Sequence, residues 1–275
     1  MMQEKVATPR LSSGPVGTPY AMYAEIATLH SLQKPRTDAS AETSFIVATQ
    51  VMELLFGLLR HEWVQAQRAL RADDLPEAME ALRRGLGVQD VLIGSWDLLA
   101  TLTPSQFNAF RGHLGEASGF QSHAYRHLEF LLGNKSAAML RLHQAAPEVH
   151  TDLTTALNGP SLYDDVLAVL DRHGLRIPLS HLERDWTAPY EAHAEVEKAW
   201  QTVYTNEAHR DLERLAELLL DVAERVTRWR QRHQSAVKRA MGAKPGTAGS
   251  SGLSWLRKAV EQDVFPELWT VRNEL

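Results

Sequence analysis

Between Glu207 and Met241 apolar residues recur at Leu212, Leu215, Leu219, Val222, Val226 and Trp229, in alternating steps of three and four. That period puts all six on one stripe of a single long helix. A stripe of this length needs other helices laid along it, and no segment of the chain shows the apolar–polar alternation of a strand. The pattern predicts an all-α, single-domain helical bundle over residues 1–275, its helices antiparallel and joined by short connections. There is no internal repeat and no clean linker.

The other helices announce themselves by their ends. Phe45, Met52, Leu55 and Leu59 mark a helix from Ser44 to about Arg71. Asp74 caps the next, with Pro76 in its first turn and Glu77 closing a capping box, and it runs to about Ala100. Thr103, Pro104 and Gln106 repeat the arrangement for a short helix ending near His113. Gly133 closes a helix in "GFQSHAYRHLEFLLG", while Ser161 opens and Gly174 closes another. Before all of these lies a Pro-, Gly-, Ser- and Thr-rich stretch, flexible over about 1–17, with an arm over 19–33 that carries one short helix.

Composition excludes several classes of function. A net charge of -5, with Lys and Arg interleaved among Asp and Glu, gives no pull toward nucleic acid or an anionic membrane. With no cysteine the chain has no disulfide, no thiolate metal ligand and no cysteine nucleophile. No hydrophobic leader and no apolar run long enough to span a bilayer stands out, so the reading is a cytoplasmic protein. The stretch "GAKPGTAGSSG", Gly242 to Gly252, looks like a phosphate loop but is not one. Lys244 precedes the Gly246-Thr247 pair, whereas a P-loop needs Lys and Ser/Thr directly after its last glycine.

Extended in the same steps, the long stripe reaches His233 and Val237, placing a histidine on a buried face. It is either a core histidine bonded to a carbonyl or a ligand. No second histidine at zinc spacing accompanies it. One axial histidine is, however, all that a heme iron needs on its proximal side.

Three segments, "TPSQFNAFRGHLGEASGFQSHAYRHLEFLLGNK", "RWRQRHQSAVKRAMGAKPGTAGSSG" and "LRKAVEQDVFPELWTVR", together resemble the tryptophan 2,3-dioxygenase family. These are heme-dependent helical enzymes that open the indole ring of tryptophan. The resemblance runs in order from about Pro19 to the C-terminus. It implies heme b as cofactor, His233 as the proximal iron ligand, and dioxygen with L-tryptophan or a substituted tryptophan as substrates. Arg111 would pair with the substrate carboxylate, and Thr247, in the Gly-rich loop, would contact its amino-acid end. Phe45, Phe107 and Leu114 would flank the substrate, and Ser118, Gly119 and Trp96 would line the heme. Tyr20 and Tyr23 would enter from a neighbouring subunit of a homotetramer, and Ala24, which follows Tyr23, would lie in the same substrate pocket.

The chain also departs from the family pattern, as a divergent member. Where the family reads F-I-x-x-H-Q-x-x-E-L-W, this sequence reads "FIVATQVMELL", and Thr49 replaces the distal histidine. Related indoleamine dioxygenases carry a serine there, so oxygen insertion does not require that histidine. Ala24 stands for leucine, Phe107 for tyrosine, and Leu55 and Gly57 for tryptophan and lysine. The smaller side chains enlarge the space beside the indole, which points to a tryptophan carrying extra substitution, in secondary metabolism. The expected product is of the N-formylkynurenine type. The alternatives are a monooxygenase giving a hydroxylated or 2-oxindole-type product, and a non-catalytic heme- and tryptophan-binding protein.

Overall fold

The computed structural model describes residues 17–242, 244 and 252–275. Among them there are thirteen α-helices and no strand. Two short helices, α1 (Pro19–Tyr23) and α2 (Ile26–His30), form the arm. Then come α3 (Glu42–Arg71), α4 (Leu75–Ala100), α5 (Pro104–Arg111), α6 (His123–Leu131), α7 (Pro147–Asn158), α8 (Leu162–Arg172), α9 (Leu179–Leu182), α10 (Ala194–Thr205), α11 (Arg210–Met241), α12 (Leu253–Val260) and α13 (Pro266–Thr270).

The bundle is built on α3, α4 and α11. Met52, Phe56, Leu59 and Trp63 of α3 meet Val88 and Leu92 of α4, and the stripe Leu215, Leu219, Val222 and Val226 of α11 closes over both. Each such side chain contributes about 1.5–3 kcal/mol by leaving water, so this seam dominates the stability of the fold. Gly85 sets how closely α3 and α4 approach. A Cβ there would lie 3.2 Å from Trp63 Nε1 and 3.3 Å from Leu59 Cδ1. Away from the seam, Arg71 and Gln67 of α3 both donate to the Asp165 carboxylate of α8, at 2.8 Å each. Arg126 and Glu129 form a buried ion pair on α6.

The Thr103 capping box is present: the Thr103 side-chain oxygen accepts from the Gln106 N–H at 3.3 Å, and the Gln106 side chain accepts from the Thr103 N–H at 2.9 Å. Gly133 and Gly174 end their helices at φ 85° and 82°, a conformation that costs a residue with a side chain. Four expectations need correction. The Asp74 box is only half made: Asp74 accepts from the Glu77 N–H at 3.1 Å, but Glu77 turns to Arg84 instead of reaching back. The arm holds two helices, broken at Glu25, whose φ is 50°. The long helix starts at Arg210, after a 3-10 turn over Glu207–His209. Lastly, α3 has an 18-residue window of mean hydropathy 1.4, long and apolar enough to cross a membrane by length and composition. One face of α3 is buried in the seam just described. The other carries exposed Val47, Leu54 and Leu58. The flexible segment expected over about 1–17 lies, except for Gly17, outside the described residues.

Candidate active site

The α11 stripe continues past Val226 into Trp229 and His233, one helical turn apart, so both side chains face α4. There Trp96 lies flat against the imidazole, with ring centroids 4.5 Å apart and planes at 13°. Trp229 approaches the same imidazole at 5.4 Å and 60°. Trp229 also packs on Trp96 and stacks on Tyr125 of α6, so the histidine ends an aromatic column that runs into the seam.

Among the described residues neither ring nitrogen of His233 has a hydrogen-bond partner, and the reading of a core histidine tied to a carbonyl fails. Burial alone pulls its pKa down to about 4, because a charged imidazole is poorly solvated there. The ring is therefore neutral at pH 7, with a lone pair free to bind a metal. The indole N–H groups of Trp96 and Trp229 also lack partners. A neutral, unpartnered imidazole set in an aromatic wall fits an axial ligand to a flat, apolar macrocycle. A small cavity of about 30 Å³ lies beside Trp229 in the seam, lined partly by Phe56, Leu59 and Leu92. It has room for about one water and is a packing gap between helices.

A second, smaller core sits beyond the column, where the N-terminal part of α3 meets α5. Phe45, Phe107 and Phe110 form a triangle with centroid distances of 5.8, 5.3 and 5.4 Å. Leu102, Leu114, Ala240 and Met241 pack around it. The structure thus brings Phe45, Phe107 and Leu114 together, and Ala240 ties them to the helix that carries His233. Arg111 is the last residue of α5, directly after buried Phe110. Its backbone is set by that ring, which is fully buried.

Thr49 lies one turn after Phe45 on α3. It is exposed, and its hydroxyl donates to the Phe45 carbonyl at 2.9 Å. The hydroxyl hydrogen is thereby taken, and the oxygen has only lone pairs left to offer. Ser118 caps a 3-10 turn over Gly119–Gln121, accepting from the Phe120 N–H at 3.3 Å. Phe120 in turn packs edge-on against Trp255 of α12. Tyr20, Tyr23 and Ala24 do not join the other site residues within the chain. They are exposed on the arm, Tyr20 by 74% and Tyr23 by 93%. Thr247 lies outside the described residues.

Sequence reasoning placed Trp229 in the core stripe and missed that it flanks His233; the signal was there, an aromatic one turn before a histidine on the same face. Phe110 and Arg230 were also passed over. Arg230 is 3% exposed and donates to the carbonyls of Ala259 and Gln262, at 2.9 and 2.8 Å. It pins the end of α12 to α11 close to His233.

A curated tryptophan 2,3-dioxygenase of Polaromonas sp. is 43% identical over 257 residues, covering 93% of this chain and 87% of the relative. One from Bacillus cereus is 44% identical, covering 93% and 92%. One from Ralstonia nicotianae, named tryptophan 2,3-dioxygenase 1, is 42% identical, covering 93% and 87%. The family model described as Tryptophan 2,3-dioxygenase matches residues 3–209 and 201–275, and with that nearly end-to-end match the chain belongs to the tryptophan 2,3-dioxygenase family.

Proposed function

We propose that this protein is a heme-dependent dioxygenase that cleaves the indole C2–C3 bond of L-tryptophan, or of a substituted tryptophan, to an N-formylkynurenine-type product. The observation that carries the reading is the neutral, unpartnered imidazole of His233 against Trp96, in a chain of this family. Heme b, held by His233 and flanked by Trp96, Ser118 and Gly119, would supply the iron at which dioxygen is activated.

The chain's own residues bind and orient the substrate. The planar guanidinium of Arg111 offers paired N–H donors to the carboxylate, and Thr247 meets the amino-acid end. Phe45, Phe107 and Leu114 form an apolar wall that keeps water from the indole. Thr49 accepts a hydrogen bond from the indole N–H. Its own hydrogen is committed to Phe45, and a hydroxyl does not ionise near neutral pH, so it orients the ring without removing a proton. Tyr20, Tyr23 and Ala24 complete the wall from a neighbouring copy in a cytoplasmic homotetramer. Their exposure within one chain, together with exposed Leu54 and Leu58 on α3, supports this.

The test reconstitutes wild type and His233→Ala with heme, then supplies the reduced proteins with L-tryptophan and labelled dioxygen. Wild type should take up heme stoichiometrically and give a product with two labelled atoms. His233→Ala should stay helical by circular dichroism and lose the heme absorption. One labelled atom would make the protein a monooxygenase. Binding of tryptophan without product, from the parent amino acid and substituted ones alike, would make it a non-catalytic binder. Unchanged heme binding by His233→Ala would overturn the ligand assignment.

A further inference from the structure

The N-terminal end of α3 carries a polar latch. Glu42 is 2% exposed, and its carboxylate accepts from the Arg36 N–H at 2.8 Å, the Thr37 N–H at 2.8 Å and the Thr37 hydroxyl at 2.6 Å. These bonds hold the Glu42 pKa below the usual carboxylate range, the Thr37 hydroxyl contributing most. Two turns further along α3, the Gln50 side chain donates to the Leu32 carbonyl at 3.1 Å and accepts from Gln33 Nε2 at 2.6 Å. Residues 32–37 are thus laid along the part of α3 that presents Phe45 and Thr49.

From this fixed segment the exposed Arg36 side chain crosses to α5. Its guanidinium donates to the His113 carbonyl at 3.1 Å. His113 sits in the 3-10 turn Gly112–Leu114 that follows Arg111 directly. The last carbonyls of a helix have no partner within it, and this turn contains Gly112 and leads into Gly115 at φ 60°, so little in its own backbone stiffens it. Arg36 supplies a charged donor at that point, from a backbone position that Glu42 has already fixed.

We propose that Arg36, held by Glu42, is a positioning residue for recognition of the substrate carboxylate. It fixes the turn after Arg111 and so sets the direction in which that guanidinium points. The proposal rests on the carboxylate role given to Arg111 above. It makes the chain's preference for free α-amino acids depend on a residue that touches no substrate.

The experiment measures calorimetric binding of L-tryptophan and of tryptamine, which lacks the carboxylate, to heme-loaded protein, with kcat and KM for L-tryptophan alongside. Variants are Arg36→Ala, Arg36→Lys, Arg111→Ala and the double variant Arg36→Ala/Arg111→Ala. Arg36 is exposed, so its replacements should leave the fold intact. Arg36→Ala should weaken L-tryptophan about tenfold, the scale of one hydrogen bond from a charged group. KM should rise with little change in kcat, and tryptamine binding should not move. Arg36→Lys should recover most of the loss, because an ammonium can still donate to the His113 carbonyl. In the Arg111→Ala background, Arg36→Ala should cost nothing more. Equal losses for both ligands, no loss for either, or additive losses in the double variant would overturn the proposal. If Arg111→Ala fails to penalise L-tryptophan more than tryptamine, the role of Arg111 itself falls and the proposal with it. If Arg111→Ala behaves as expected and Arg36→Ala is silent, only the positioning role falls.

Discussion

Replacing Thr49 by valine isolates what its hydroxyl does. Valine keeps the shape and removes one oxygen. The Phe45 carbonyl that receives the hydroxyl hydrogen at 2.9 Å keeps its ordinary helical partner, so nothing buried is orphaned. Thr49 is exposed, and folding stability should move by no more than about 0.5 kcal/mol. With the hydroxyl hydrogen committed to Phe45, the oxygen can only accept, and a neutral hydrogen bond from an indole N–H contributes about 1 kcal/mol. That converts to a loss of about fivefold in kcat/KM for L-tryptophan. For 1-methyltryptophan, which has no N–H, the change should vanish. The pH profile should be the same for wild type and Thr49→Val, since neither side chain titrates in the working range. The assay is the initial rate of product formation on both substrates across pH. Equal losses on both substrates, or none on either, would refute the acceptor role.

Two further outcomes concern the scaffold. Glu267, 1% exposed, accepts from the Tyr163 and Tyr190 hydroxyls and the His193 N–H, at 3.0, 2.7 and 2.9 Å, while Tyr163 also accepts from Trp200 Nε1. In Glu267→Gln one amide N–H₂ must face a donor, leaving a hydroxyl hydrogen unpaired. Stability should drop by about 3 kcal/mol and the thermal midpoint by about 6–10 °C; a change under about 2 °C would show that the network re-pairs. Burial pulls His127 and, without heme, His233 down to about 4. Above their unfolded value of about 6.5 both states are neutral. As pH falls from there toward 4 the unfolded chain takes up protons first, so the apo protein should lose stability across that window, by about 3 kcal/mol per histidine. Urea unfolding at a series of pH values checks this, and a flat midpoint between pH 6.5 and 4.5 would refute it.

Much of the fold was legible because its signals are local. Thr103, Ser161, Gly133 and Gly174 each act within a few residues of themselves, and the α11 stripe needs only its own period. The arm's break was not legible because Glu25 takes a left-handed conformation that nothing in its side chain demands. The half-made box at Asp74 follows from competition, since Arg84, two turns away, takes the Glu77 carboxylate. In the site, His233 could be placed on a buried face, but its lack of a carbonyl partner depends on what α4 brings opposite. The latch at Glu42 joins residues 36, 37 and 113 through folding alone, and no spacing in the chain reveals it. Thr49 was visible as a departure from the family pattern, yet the direction of its hydroxyl became clear only with the Phe45 carbonyl in place.

The clamp that Arg230 makes on Ala259 and Gln262 changes what the covalent chain between Gly242 and Gly252 has to do. Beyond it, Leu268 and Val271 are fully buried, and Glu267 binds the loop before α10 and, through Tyr163, α8. The last helices are therefore held as a docked piece would be, by side chains reaching across from α11, α8 and α10. A single cut in that connection would leave two fragments that still fit as one body. Peptide continuity there is released from holding the fold together.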